Sequence, residues 1–326
     1  MSNIQIIHFH FTLALKPISF LEVSNPHNLI NADESLVKFK TDYKKGISDK
    51  LDDLIALLKA KKEALVYFSA SFLEMLEKTD PAKINTLKKF IGNNQLALVG
   101  SCAYHSLSYF CHPALFKKEV AFLQQAYKSF FNTSAALFVN TACLFDDKLI
   151  EHLAQFNFKA VIAAANNWHL SGAQATGTFR SVGNKPLQVL LANGDSTNNS
   201  DLTLINGYGS HYEHNIIGES SLSDLNKLML NTKDASTYSA SMPLSSPEWE
   251  LPIASYLSNP MQKALLNECK RLVDKLHKQL SDEDWKTIML LCQPQKLLEM
   301  NRTTDDGGYQ AFINGMNILT AIGLRY

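Results

Sequence analysis

The sequence is short of charge. Lysine, arginine, aspartate and glutamate together make up 19% of its 326 residues, against about 25% in an average globular chain. The 31 basic and 31 acidic side chains cancel to a formal net charge of zero. Such a balance leaves no overall basic footprint for nucleic acid or for an anionic membrane surface. The shortage includes acids, on which much hydrolytic chemistry depends. Cysteine is scarce as well: Cys102, Cys111, Cys143, Cys269 and Cys292 are odd in number and form no CxxC pair. That pattern fits neither a disulfide framework nor a thiolate zinc cluster, and reads the five as buried small hydrophobes. No run of about 18 apolar residues occurs, so no bilayer span is expected. The stretch from Met1 to His8 lacks the basic segment and long apolar core of a signal peptide. A cytoplasmic chain without membrane or nucleic-acid partners is the expectation.

What is present is alternation. Ile4–His10 reads as a strand, and a helix opened by Ser48 puts Leu51, Leu54, Ile55 and Leu58 on one face. Ala64–Ser69 is a second strand. The next helix has Asp80 as N-cap, Pro81 at its first position and Gly92 just past its end. Gln95–Val99 is strand three, and Phe116, Val120, Leu123, Tyr127 and Phe130 then form one helical stripe. Ala135–Asn140, a helix over Asp146–Ala154, and Lys159–Ala164 follow. Gln188–Ala192 and Leu202–Ile205 are weaker strands. This order predicts βα units on a parallel sheet, open or closed into a barrel. After about Ile217 the pattern turns helical, over Met261–Leu280, a Ser281-capped segment through Cys292, and Gly308–Ile322. The Ser- and Pro-rich stretch Asp234–Pro252 reads as a long connection. The expected division is a βα-barrel unit over 1–217, then barrel completion and a helical region over 218–326.

In parallel α/β architectures function gathers at the C-terminal ends of strands. There the chain carries His8 and His10, Ser69, Ser101 to His105, Asn140 to Cys143, Asn166 to His169, and Asn193 to Asn199. This polar but nearly acid-free set suits a neutral, hydroxyl-rich ligand. His8 and His10 share one strand face, so they could begin a metal site of the amidohydrolase or deacetylase kind. No further ligand spacing supports that, and neither metal nor cofactor is expected. Cys102 with His105 could form a nucleophile–base pair, but no third group orients it. Gly207-Tyr208-Gly209 is too short for a phosphate loop. Lys59-Ala60-Lys61-Lys62 reads as a solvated helix end. Trp168 and Trp249 could stack on sugar rings.

The segment Leu137-Phe138-Val139-Asn140-Thr141-Ala142-Cys143-Leu144-Phe145 resembles the FRNTELIY motif of glycoside hydrolase family 57. In the same order along the chain, Ile7-His8-Phe9-His10-Phe11-Thr12 resembles the family's VHQP-type motif. Tyr67 to Glu74 resembles its FSxSGxxLE segment, and Leu98 to Leu107 its ELLGGTYYHSL segment. Tyr208 to His214 resembles DYETFGEH, and Tyr309 to Asn317 resembles a YxAFINYMN tail. The resemblance implies a (β/α)7 TIM-like barrel followed by a C-terminal helical region. It also implies activity on α-glucans or related oligosaccharides, with His10, Ser69, Tyr104, His105, Asn140, Thr141 and His214 lining the substrate cleft; Trp168, which follows strand five, is expected to join them.

The departures from the family pattern fall on its acids. The position of the motif nucleophile is Ala142, and the preceding Arg is Val139. The substrate-contacting Glu is replaced by Ala97, and the Gln and Pro after His10 by Phe11 and Thr12. The paired Asp of the acid/base segment align with Asn198 and Asn199. Retaining hydrolysis needs two carboxyl groups about 5–5.5 Å apart, and a methyl group at 142 cannot attack. The expectation is a degenerate member that retains at most oligosaccharide binding or a scaffold role. The alternatives are an active enzyme with relocated carboxylates at Asp195, Asp201 or Glu213, and a metal-dependent hydrolase built on His8 and His10.

Overall fold

The alternating apolar runs and amphipathic helices fold into a closed barrel in the computed structural model, which describes residues 4–24, 28–164, 179–183, 185–193, 202–204, 221–230, 235–244, 253–301 and 306–326. Its strands are β1 (Ile4–Phe9), β2 (Ala64–Phe68), β3 (Leu96–Gly100), β4 (Leu137–Val139), β5 (Ala160–Ala164), β6 (Phe179–Ser181), β7 (Gln188–Asn193), β8 (Leu202–Leu204) and β9 (Ser236–Tyr238). Parallel pairings run β1–β2–β3–β4–β5–β7–β8 and return from β8 to β1, which closes seven strands into a ring. The expected seven-stranded βα barrel is therefore present. β7 divides one edge between two partners: β6 lies antiparallel at Gln188–Val189, and β8 parallel at Ala192–Asn193. β9 extends the sheet by pairing with β6.

The strands are continuous apolar runs because both of their faces are covered. β2 and β5 are buried at every residue. The helices that cover them are α1 (Ala32–Asp42), α2 (Ser48–Lys59), α3 (Ala70–Thr79), α4 (Pro81–Gly92), α5 (Ser108–Cys111), α6 (Pro113–Phe131) and α7 (Asp147–Leu153). Then follow α8 (Leu222–Leu230), α9 (Ile253–Leu257), α10 (Pro260–Leu276), α11 (Asp282–Leu291), α12 (Pro294–Glu299) and α13 (Gly307–Gly323). The expected punctuation holds at α4, where Asp80 accepts from the Lys83 N–H and Pro81 opens the helix. It holds again at α11, where the Ser281 hydroxyl accepts from the Asp284 N–H at 3.2 Å. The stripe Phe116, Val120, Leu123 and Tyr127 is the buried face of α6. All five cysteines are free and buried. Among the described residues no helix is long and apolar enough to cross a membrane.

The expectations need correction at several places. Ser48 does not cap α2, because α1 runs into it through a wide π-type turn at Tyr43–Ile47; the Ser48 hydroxyl instead receives the Lys83 ammonium at 3.0 Å. α1 and α3 were not foreseen. β6 was not foreseen either, nor was β9, which lies inside the stretch expected to be a plain connection. That same stretch also bridges back to Phe145 through Leu244.

Tyr127 ties the helix layer to two strand ends. Its hydroxyl oxygen accepts from the Phe68 N–H at 3.1 Å, and its proton faces the Phe68 and Val99 carbonyls at 3.0 and 2.9 Å. Tyr127→Phe leaves these buried backbone groups without that partner, at a cost of about 1–3 kcal/mol. A urea-unfolding midpoint below that of the wild type, with an unchanged slope, is the expected result.

Candidate functional site

The pleat of β1 sorts its side chains. Phe9 stacks on Phe68 and meets Phe72 of α3, with ring centroids 5.3 Å apart in each pair, so this face looks toward the helices. The alternate residues His8 and His10 consequently point to the barrel interior. His8 lies opposite Tyr67 in register, and their rings meet edge-on at 5.1 Å. The loop after β3 then folds across this end of the barrel. It brings the His105 ring to 5.0 Å from His10, 6.1 Å from Tyr67 and 6.5 Å from His8. His105 holds a left-handed backbone, with φ of 55°, which is costly for a residue with a Cβ.

The next strand end completes the site. After β4, the Asn140 Oδ1 accepts from the Thr141 N–H at 2.9 Å and from the Cys102 thiol at 3.5 Å. The Asn140 Nδ2, with two N–H groups, is buried without a hydrogen-bond partner among the described residues. Ala142 follows, fully buried and left-handed at φ 56°, ψ 25°. Cys143 is left-handed too, with φ of 50°.

The electrostatics are those of an uncharged site. Burial holds the pKa of both His8 and His10 well below the usual imidazole value; His105 adds to the effect on each, and His8 to that on His10. Both rings are therefore neutral at pH 7. The unfolded chain titrates them near about 6.5, so as pH falls below that value the unfolded state takes up protons that the folded state refuses. Stability contributed by these rings is complete above about pH 7 and is lost progressively on acidification toward the depressed folded values. Thermal melts between pH 7.5 and 5 should show this loss, and His8→Asn should flatten it.

Glu74, Asp146 and Glu119, in the segments that follow these strands, each have partners of their own. Glu74 receives the Lys286 ammonium at 2.6 Å. Asp146 caps α7 by accepting the Leu149 N–H at 2.9 Å, and also receives the Tyr109 hydroxyl. Glu119, on α6, is bound to the loop after β3. Among the described residues no group of three or more His, Cys, Asp or Glu side chains is arranged to hold a metal ion. The metal-dependent alternative built on His8 and His10 gains no support from them. Nor does a Cys102–His105 nucleophile pair: burial, with Glu119 nearby, pushes the Cys102 thiol well up, and its proton goes to Asn140.

The structure thus gathers His8, His10 and His105 into one cluster, and places Asn140, Thr141 and Ala142 together at the neighbouring end of β4. Ser69 stands at the end of β2, but its hydroxyl caps α3 by accepting the Phe72 N–H at 3.2 Å. The Tyr104 ring faces another way. It packs on Phe122 at 6.5 Å with the Lys286 ammonium 5.2 Å from its centroid, in a groove of about 570 Å³ that Glu74, Phe122, Phe130 and Lys286 also line. Burial is the main cause that raises its phenol pKa. Trp168, Asp195, Asn198, Asn199, Asp201, Glu213 and His214 lie outside the described residues, as does Trp249. Two residues of the site were missed by sequence reasoning. Tyr67 sits two residues before Ser69 on the same strand face. Glu119 lies three residues after Phe116 on the buried stripe of α6, where an acid is itself a signal.

The profile of glycosyl hydrolase family 57 matches residues 18–206. The chain belongs to that family. Solved structures with the same fold include the 4-alpha-glucanotransferase of Thermococcus litoralis, with TM-score 0.59 and 12% identity over 98% of this chain. The chain spans 60% of that enzyme's length. A family 57 branching enzyme from Pyrococcus horikoshii superposes with TM-score 0.57 at 8% identity, covering 96% of this chain and 87% of that one. The branching enzyme of Thermococcus kodakaraensis, solved in complex with glucose, gives TM-score 0.55 at 7% identity, with 97% and 88% covered. At such identities these likenesses speak to the fold alone. No curated protein matches the chain in sequence. Family membership rests on the profile, which matches more than half of the chain.

Proposed function

We propose that this family 57 chain binds a neutral oligosaccharide, an α-glucan in particular, at the mouth of its barrel and does not catalyse retaining hydrolysis. Ala142 carries this reading. It occupies the position that the motif resemblance gives to the nucleophile, and its methyl group offers no electron pair for a glycosyl–enzyme bond. Binding is favoured by the groups at these strand ends: the neutral His8 and His10 rings, the His105 and Tyr67 rings beside them, and the buried Asn140 amide with two N–H groups to give. Sugar hydroxyls can satisfy such groups without adding charge. The known structures of this fold include a glucanotransferase and a branching enzyme solved with glucose, which favours a glucan as ligand.

Isothermal titration with maltoheptaose tests the binding half. Saturable binding is expected, weakened about tenfold or more by His10→Ala and by His105→Ala, since each removes a ring and its hydrogen-bonding nitrogens. Wild-type protein that takes up no heat with maltoheptaose or with any other neutral glucan would sink the reading.

A further inference from the structure

Glu119 is wholly buried, and among the described residues no lysine, arginine or histidine lies within ion-pair distance of it. A buried carboxylate without a cation is costly unless several donors meet it. Here three do: the Tyr104 N–H at 2.9 Å on Oε1, and the Ser106 and Ser108 hydroxyls, each at 2.5 Å, on Oε2. Burial pushes its pKa up, while the bonds from Ser106, Ser108 and backbone amides pull it down. The donors bracket one residue, His105. Ser106 is further fixed because its oxygen accepts the Ser108 N–H at 3.0 Å.

The loop is held from its other side as well. The Gln293 Nε2 donates to the Tyr104 carbonyl at 2.6 Å, and the Leu107 N–H to the Cys292 carbonyl at 2.8 Å. Between these anchors His105 adopts the left-handed backbone that delivers its ring against His10 and Tyr67. A conformation costing about 1–2 kcal/mol persists only where its surroundings impose it. An apolar residue at 119 would fill the same space without the desolvation cost, but it could not grip Tyr104 and both serines together.

We propose that Glu119 is the positioning residue of the barrel mouth: by clamping the backbone and hydroxyls on either side of His105, it sets where that imidazole stands. The placement of His105 is independent of any ligand. Only its consequence for affinity rests on the carbohydrate reading. The same clamp connects through Ser108 to the Cys102 thiol, 3.8 Å from the Ser108 hydroxyl, and from there to Asn140.

The test uses ligand-free protein labelled with ¹⁵N and ¹³C at histidine, with the His105 imidazole signals assigned through His105→Gln. Glu119→Ala should shift and broaden those signals and weaken maltoheptaose binding about tenfold or more. Glu119→Gln keeps an oxygen for the Tyr104 N–H and an amide that the two serine hydroxyls can accept, so it should restore most of both readouts. Leu272→Ala, on α10 beside Gly323, serves as a control for lost stability and should move neither. Should Glu119→Ala fail to fold, the Ser106→Ala/Ser108→Ala double variant is expected to give the same shift. His105 signals identical to wild type, in a folded Glu119→Ala or in the double serine variant, would overturn the proposal. A moved His105 together with wild-type protein that binds no neutral glucan would support the clamp and overturn the carbohydrate reading.

Discussion

No new reducing ends are expected when the purified protein is incubated with starch, maltoheptaose or an aryl α-glucoside. Removal of a covalent nucleophile costs a hydrolase on the order of 10⁶ in turnover in the best-studied case, and position 142 holds a methyl group. The loss reaches beyond one residue, since Val139, Ala97 and Asn198/Asn199 stand where the resemblance places an Arg, a Glu and paired Asp. Inverting hydrolysis tolerates carboxylates about 6.5–9.5 Å apart, so Asp195, Asp201 and Glu213 are the groups to challenge. Asp195→Asn, Asp201→Asn and Glu213→Gln should each leave the absence of turnover as it was. Release of sugar that any one of them abolishes would count decisively against the account.

The largest stability effect is expected at Asp284. This carboxylate is buried and receives the Ser281 hydroxyl at 2.6 Å, the Arg325 guanidinium at 2.5 Å and the Tyr326 hydroxyl at 2.7 Å. It pins the chain end to the start of α11. Asp284→Ala strips a half-buried guanidinium of its carboxylate and leaves two hydroxyls unserved, a change that costs about 3–5 kcal/mol for buried pairs. The consequence should reach the barrel mouth. α11 carries Lys286, which lies over Tyr104, and is followed by Cys292, whose carbonyl holds the His105 loop. A urea midpoint well below wild type, with His105 amide exchange accelerated, is the expected outcome. An unchanged midpoint would mean that Asp284 contributes nothing net.

The strands that were legible owe it to double burial. β2, β4 and β5 carry unbroken apolar runs because helices cover one face and the barrel interior the other. β6 and β9 are three-residue pieces at the sheet's margin, where Arg180, Ser236 and Thr237 are exposed, so no run marks them. α1 was hidden because only Ser35 and Phe39 are buried on it. α3 was readable: Ser69 is its N-cap, and Phe72, Leu73, Met75 and Leu76 are buried along it. At the site, His8, His10, His105 and Asn140 were visible because function in this architecture collects at strand ends. The direction of Tyr104 was not. It depends on a left-handed turn at His105 gripped by a glutamate on α6, a tertiary arrangement that local pattern does not encode.

Maltoheptaose followed by proton NMR in the presence of the protein measures binding and chemistry in one sample. Saturation transferred from protein to glucan, with anomeric signals unchanged over days, is the predicted result. New anomeric resonances, or no transfer to this or any other neutral glucan, would contradict the claim that the barrel mouth binds sugar without cleaving it.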